Sequence, residues 1–273
     1  MRKYIILISV ICLAASCANL KLAVPDSFQR QATIQHVKGA KGKKMSFSQF
    51  KTSKIKRGIG VTYPGWGHAY FLQNLWLNQL GISKSGVVEN QKGKFHYSIS
   101  DGNNTLEVYA HEMSVKEETE YTLLNSNSIL NNFSQLEHYK YIFSAIISGD
   151  ASKVGKDWEL ILTNVYNRKA SGDKNPFTFI DSGDKGMATN GTDTIYIKPL
   201  DVKQKISNDG KTKKLLFKLL AGYELSTSGG VIAVVDLISK DLWFYNELDA
   251  SERLAVSAIS TAIFARRIHD HGW

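Results

Sequence analysis

The side chains best suited to chemistry in this chain are His68, which follows the loop Gly65-Trp66-Gly67, and the adjacent pair His111-Glu112. An imidazole and a carboxylate brought within hydrogen-bond reach would form an oriented general base, the minimum needed to activate water in a hydrolase. Nothing in the spacing sets that geometry, and motif-free histidines at strand ends are commonly without function. His269-Asp270-His271 offers metal-ligand types, but only as an adjacent run around one carboxylate, without the spaced partners that a zinc site needs. The chain has no nucleophile elbow, P-loop, Cys/His zinc pattern or glycine-rich dinucleotide fingerprint. The catalytic set, the metal set and the cofactor are therefore all read as none. The reading leans to a non-enzyme, and a hydrolase using His68 or His111 with Glu112 is kept as the alternative.

The residue with the clearest chemistry is of a different kind. Arg2 and Lys3, the apolar run from Tyr4 to Leu13 and the small residues Ala14-Ala15-Ser16 form a secretory signal ending just before Cys17. The run is too short to span a bilayer. A cysteine directly after small residues resembles a lipobox, with Leu13 one place early and Ala14 where an aliphatic residue is more common. That resemblance implies a signal peptide over residues 1–16 and lipid attachment at Cys17. An ordinary signal peptide cut after Ser16 or Ala18 is the competing reading. The chain has two cysteines, and Cys12 lies inside the apolar run, so the mature protein holds Cys17 alone and no internal disulfide. An exported chain without a disulfide must be held by a hydrophobic core, and the residues after the signal are numerous enough to build one.

Residues 17–31 show no periodicity and are interrupted by Pro25, which predicts a flexible tether. The net charge of the whole chain is +9. Much of it lies in Lys38, Lys41, Lys43, Lys44, Lys51, Lys54, Lys56 and Arg57, a stretch with no acidic residue. So close to an anchor it could contact anionic head groups, each cation contributing about 1 kcal/mol near a charged surface. Gly39, Gly42 and the alternating Phe47 and Phe50 break any continuous basic face, which favours solvated lysines guarding an edge strand. Nucleic acid is the least expected partner of an exported chain.

Strand patterns follow. Phe95, Tyr97 and Ile99 alternate with polar residues, Asp101-Gly102-Asn103-Asn104 is a turn, and Leu106 and Val108 alternate again, predicting a hairpin. Trp158, Leu160 and Leu162, then Phe177 to Ile180, Ile195 to Ile197, Val231 to Ile238 and Asp241 to Tyr245 read as further strands. Residues 149–155 and 183–191 read as loops. Tyr70 to Leu80 fits strand or helix, and the spacing of Ile129, Phe133, Leu136 and Lys140 predicts a surface helix.

The chain is organised around Asp249 to Arg267. Asp249 and Glu252 form a capping-box-like start, and Arg266 and Arg267 place cations where the helix dipole favours them. Between them Leu254 to Ala265 carries no charge, and only Ser257, Ser260 and Thr261 are polar, each able to bond back to its own backbone. A helix apolar nearly all round is buried on nearly all sides. At about 18 Å its uncharged part is too short to cross a bilayer. Ala255, Ala258, Ala262 and Ala265 keep its cross-section thin. The fold expected is mainly β (α+β): an antiparallel barrel or closed sandwich around one buried C-terminal hydrophobic helix, in a single domain over residues 32–268 with a tail at 269–273.

Two resemblances add to this. Ala32-Thr33, Val37-Lys38-Gly39, Phe50-Lys51-Thr52-Ser53-Lys54 and Lys56-Arg57-Gly58, after a relaxed lipobox, are similar to a group of lipoproteins common in Bacteroidota, which implies an address and not an activity. Gly222-Tyr223-Glu224 as a strand start, Val231 to Val235, Trp243-Phe244-Tyr245 and the terminal apolar helix resemble the end of tubby-like domains, the group of phospholipid scramblases and LURP-one proteins. That resemblance implies a closed barrel around a helix, without the family's phosphoinositide-binding signature. The expected address is the outer membrane, since no Asp follows Cys17 to hold the chain at the inner membrane. The periplasmic face is expected because the acidic residues that direct surface export are missing. The expected role is binding or structural, with the membrane, through its lipid anchor, and anionic lipid or an envelope protein as partners.

Overall fold

The computed structural model describes residues 22, 24–58, 89–122, 132–149, 156–172, 183–206 and 212–268. The strands are β1 (Ala32–His36), β2 (Ser46–Phe47), β3 (Phe50–Thr52), β4 (Lys56–Arg57), β5 (Glu89–Ser100), β6 (Thr105–Thr122), β7 (Asn132–Gly149), β8 (Trp158–Asn167), β9 (Lys185–Thr189), β10 (Thr194–Ile206), β11 (Thr212–Thr227), β12 (Gly230–Asp236) and β13 (Asp241–Tyr245). Among the described residues three helices accompany them: α1 (Asp26–Gln29), α2 (Arg168–Ser171) and α3 (Ala250–Ala265).

The β5–β6 hairpin forms as its alternation predicts, with Ser100 opposite Thr105. Its turn is set by Asp101, whose carboxylate accepts from the amides of Asn103 (2.8 Å) and Asn104 (2.7 Å), while Gly102 takes the left-handed φ of 99°. From β5 to β13 each strand pairs antiparallel with the next, and β1 then returns to pair with β13. The far end of this path is β5–β3–β2, with β4 pairing beside β3 on β5. The two ends nearly meet. Lys38, just after β1, bridges to Ser46 at the start of β2. Inside the seam the rings of Phe47, Phe50 and Phe244 pack together at centroid distances of 5.3–6.3 Å. Apolar contact thus replaces part of the ladder where the barrel closes, as aromatic groups bring both area and ring–ring attraction.

The inward-facing residues, Phe95, Tyr97 and Ile99 on β5, Tyr141, Phe143, Ala145 and Ile147 on β7, and Tyr223 and Leu225 on β11, make one core with α3. The predicted helix is the filling of the barrel: every residue from Leu254 to Ala265 is buried. Its N-terminus carries the expected capping box, Asp249 accepting from the Glu252 amide at 2.8 Å and Glu252 from the Asp249 amide at 3.0 Å. Of its three hydroxyls Thr261 bonds back as expected, to the carbonyl of Ser257 at 2.8 Å, and receives the Tyr97 hydroxyl at 2.8 Å. Ser257 and Ser260 do not: their oxygens are buried without a partner. Among the described residues no helix is long and apolar enough to cross a membrane.

Several expectations are corrected. The helix predicted from Ile129, Phe133, Leu136 and Lys140 is instead the start of β7, where Phe133 pairs with Tyr121 and Lys140 with Val115. The helical spacing was borne by few residues, and a long partner strand, β6, outweighs it. Residues 185–189, read as loop, form β9, whose Gly186 lies so close to the Ile161 carbonyl that a Cβ could not fit. Gly222 is not a strand start but sits inside β11, pressed against the Val235 carbonyl. The tether expected to run to Gln31 ends sooner: Val24 and, within α1, Phe28 are buried and pack with Val234 on the outer wall. Two apolar residues in a short segment suffice because the wall supplies the partner surface. Tyr70 to Leu80, Phe177 to Ile180 and residue 129 lie outside the described residues.

Candidate functional site

The charged groups packed against α3, Arg57, Glu112, Asp184 and Arg266, gather at its C-terminal end, where the helix leaves its last carbonyls without intrahelical donors. Arg57 of β4 reaches in and donates to the Ala265 carbonyl at 2.6 Å, its guanidinium lying 4.9 Å from the Phe95 ring centre. Arg266, directly after the helix, turns back and donates through Nε to the Ile263 carbonyl at 3.3 Å. Its other nitrogens donate to Asp184 Oδ2 at 2.6 Å and to the Tyr223 hydroxyl at 2.7 Å. Tyr223 in turn donates to Asp184 Oδ2 at 3.2 Å. The rings of Tyr223, Phe143 and Tyr141 surround the guanidinium at 5.0, 5.6 and 6.0 Å.

Glu112 on β6 completes the cluster from the opposite side. It accepts from the amides of Arg267 (3.1 and 3.2 Å) and Ile268 (3.0 Å) and from the Tyr141 hydroxyl at 3.4 Å. The chain leaving the helix is therefore clasped by a buried carboxylate. Burial opposes ionisation of Arg266, but Tyr223, Tyr141 and Asp184 outweigh it and hold the guanidinium firmly protonated. Burial likewise pushes the Tyr223 and Tyr141 hydroxyls well above their ordinary values, so both remain donors. Each charged group faces an opposite charge or a backbone dipole, an arrangement that orders the helix end.

Burial is also the largest influence on Glu112, raising its pKa against the pull of the Ile268 and Arg267 amides and of Arg266 and Arg57. A carboxyl with a raised folded-state pKa binds its proton more tightly folded than unfolded. Stability then falls as pH rises from the usual carboxylate value through the folded one, and levels off above it. Urea midpoints compared between wild type and Glu112→Gln from about pH 4 to pH 8 should show wild type losing ground as pH rises. A wild type that gains on the variant over that window would contradict this sign.

Of the residues singled out for chemistry, the neighbours His111 and Glu112 are not brought together. His111 and Glu112 are neighbours on β6, so their side chains leave opposite faces of the sheet: Glu112 is 1% exposed in the interior, and His111 is half-buried on the outer wall. Burial, and then Lys94 and Lys92, lower the pKa of His111. The charges that lower it are those of two cations. His68, the 269–271 run and Cys17 lie outside the described residues. Among the described residues no three His, Cys, Asp or Glu side chains stand close enough to hold a metal ion. Lys38, Lys41, Lys43, Lys44, Lys51, Lys54 and Lys56 are exposed, but Arg57, grouped with them in the sequence, is turned inward to the helix end.

Compared with family models, curated proteins and solved structures, the chain matches none.

Proposed function

We propose that this chain is an exported lipoprotein, anchored through Cys17 at the outer membrane and facing the periplasm, whose domain has a binding or structural role and not a catalytic one. The observation that carries the second half is the filled interior. Twelve consecutive buried residues of α3 occupy the space where other barrels hold a ligand, and the polar cluster at its end is spent on mutual bonds. Partners are then met on the outer wall or at a rim. The exposed lysines between β1 and β4 supply a basic surface that suits anionic head groups near an anchored chain. The barrel around a C-terminal helix also suits the tubby-like comparison, which we retain as part of this proposal.

The address is tested by mass spectrometry of the mature N-terminus from envelope fractions. The expected result is a chain beginning at Cys17 with acyl and diacylglyceryl groups, and a Cys17→Ser variant that leaves the membrane fraction. An unmodified Cys17, or a chain beginning elsewhere, would overturn the anchor.

A further inference from the structure

The arm that leads from Cys17 meets the barrel wall at one end of the strands. Leu22, five residues after Cys17, packs with Val24, Phe28 and Val234, and its side chain lies over Gly222 of β11, where an added Cβ would meet it at 3.2 Å. Gly222 pairs with Asp236 of β12, Asp236 with Asp241 of β13, and Asp241 with His36 of β1, so these four make one row across the sheet. Three strand spacings put the ends of that row no more than about 14 Å apart. Directly beyond it lies a basic rim. The Val37 amide donates to the Lys240 carbonyl at 2.8 Å, so the loop from Lys38 to Lys44 starts beside the β12–β13 turn.

Both segments of this rim are held in place. In the loop the Gly42 amide donates to the Gly39 carbonyl and the Ile55 amide to the Lys43 carbonyl, each at 2.8 Å. In the turn Asp236 Oδ1 accepts from the amides of Ile238 (2.8 Å) and Ser239 (2.9 Å). Lys41 and Lys240 stand at left-handed φ values of 64° and 61°, which glycine would adopt at less cost, so lysine is kept where the backbone favours another residue. Lys38, Lys43, Lys44 and Lys240 are exposed, whereas Asp236 is buried and Asp241 is half-buried and bonded to His36 at 2.8 Å. The exposed charge of the rim is therefore mainly positive.

The length of the link sets which end of the barrel meets the bilayer. Five residues span at most about 18 Å, so a lipidated Cys17 keeps Leu22, and the rim beside it, within that distance of the head groups. The opposite rim begins at Thr227, five residues along β11 from Gly222 and about 17 Å away. Turning that rim to the bilayer would draw the link to its full extension. We propose that the rim made by the β1–β2 loop and the β12–β13 turn rests on an anionic phospholipid surface, with Lys38, Lys43, Lys44 and Lys240 against the phosphates. This orientation rests on the anchor at Cys17 proposed above.

The lipidated chain would be reconstituted in vesicles of phosphatidylcholine alone or mixed with phosphatidylglycerol. Cys17 is the one cysteine after the signal, so an introduced cysteine is the free thiol that takes a fluorophore. Ser239→Cys marks the proposed rim, Gly229→Cys the opposite rim and Ile34→Cys the exposed outer wall. Quenching by lipid carrying a head-group nitroxide is expected to be strongest for the Ser239→Cys label in mixed vesicles, and to weaken as salt is added. Combining Lys38→Gln, Lys43→Gln and Lys44→Gln, at about fivefold each, should shift the docking equilibrium on the order of a hundredfold. Quenching should then fall to the level seen on phosphatidylcholine, with matching circular dichroism showing the variant folded. Strongest quenching from the Gly229→Cys or Ile34→Cys label, equal quenching of all three, or quenching indifferent to anionic lipid or to the lysine substitutions would each overturn the proposal. Mass spectrometry of the same sample separates the two readings. A Cys17 without acyl groups fails the anchor and the orientation with it, whereas an acylated chain with the wrong quenching order fails the orientation alone.

Discussion

Ile259→Asp should leave the chain without a folded population. Ile259 is fully buried at the middle of α3, within the core that the helix shares with the sheet. The substitution removes an isoleucine side chain, at a cost of about 2–5 kcal/mol by the large-to-small series. It also buries a carboxyl in the apolar core around α3, which adds roughly 2–7 kcal/mol even if the group takes up a proton. Together these approach or exceed the whole stability of an ordinary domain, about 5–15 kcal/mol. Ile259→Val, which keeps shape and polarity, should cost only about 0.5–1.5 kcal/mol and serves as the control. Ala258→Trp should also fail, because Ala258 is fully buried and a thin axis has no room for an indole. Circular dichroism melts decide the matter: an Ile259→Asp chain with a near-normal midpoint would mean that the helix is not enclosed.

That enclosure could be read from the sequence because the helix advertises it. Twelve uncharged residues bounded by a capping box on one side and arginines on the other admit few placements. Strands β5, β6 and β8 were legible because each alternates apolar and polar residues beside recognisable turns, and β12 and β13 because two apolar runs flank the Ser239-Lys240 turn. β7 was not. It carries apolar residues on both faces, Tyr141 and Phe143 inward and Ile142 outward yet 2% exposed, so its period of two is blurred. β9 is short and contains Gly186, which sequence reasoning assigns to a loop and the structure to a close approach between backbones.

The polar cluster was legible only by halves. Arg266 was expected at the helix end for its charge, and it does bond an α3 carbonyl. Its main partners are 82 residues away at Asp184 and 43 away at Tyr223. Arg57, 208 residues from the carbonyl it caps, looked like one more cation in a basic run. Glu112 was noticed beside His111 as a possible catalytic pair, whereas strand geometry sends the two to opposite faces. Partners this distant are joined by topology alone, and nothing in local composition distinguishes a buried Asp184 from the loop residues around it. The exposed lysines differ in that their solvated role needed no long-range information.

The Arg266–Asp184 pair should behave as a lock whose halves are worth less apart than nothing at all. Both side chains are almost completely buried, at 4% and 0% exposure, and the guanidinium is ringed by aromatic groups. Removing one partner strands the other's charge in a medium that solvates it poorly. Asp184→Leu and Arg266→Met are therefore each expected to cost about 3–5 kcal/mol. Replacing both with apolar residues of similar volume, Asp184→Leu with Arg266→Met, removes the stranded charge along with the pair, and such replacements are often neutral or stabilising. The double variant should then be more stable than either single one, a coupling that distant, independent sites do not show. Tyr223 sets the limit of the rescue: its hydroxyl donates to Asp184 and accepts from Arg266, so the double variant leaves it buried without either partner, at about 1–3 kcal/mol. Adding Tyr223→Phe should recover that loss. Denaturant titrations of the single, double and triple variants test the whole scheme. Single variants whose losses simply add in the double would show that the pair is not what holds the end of α3 in place.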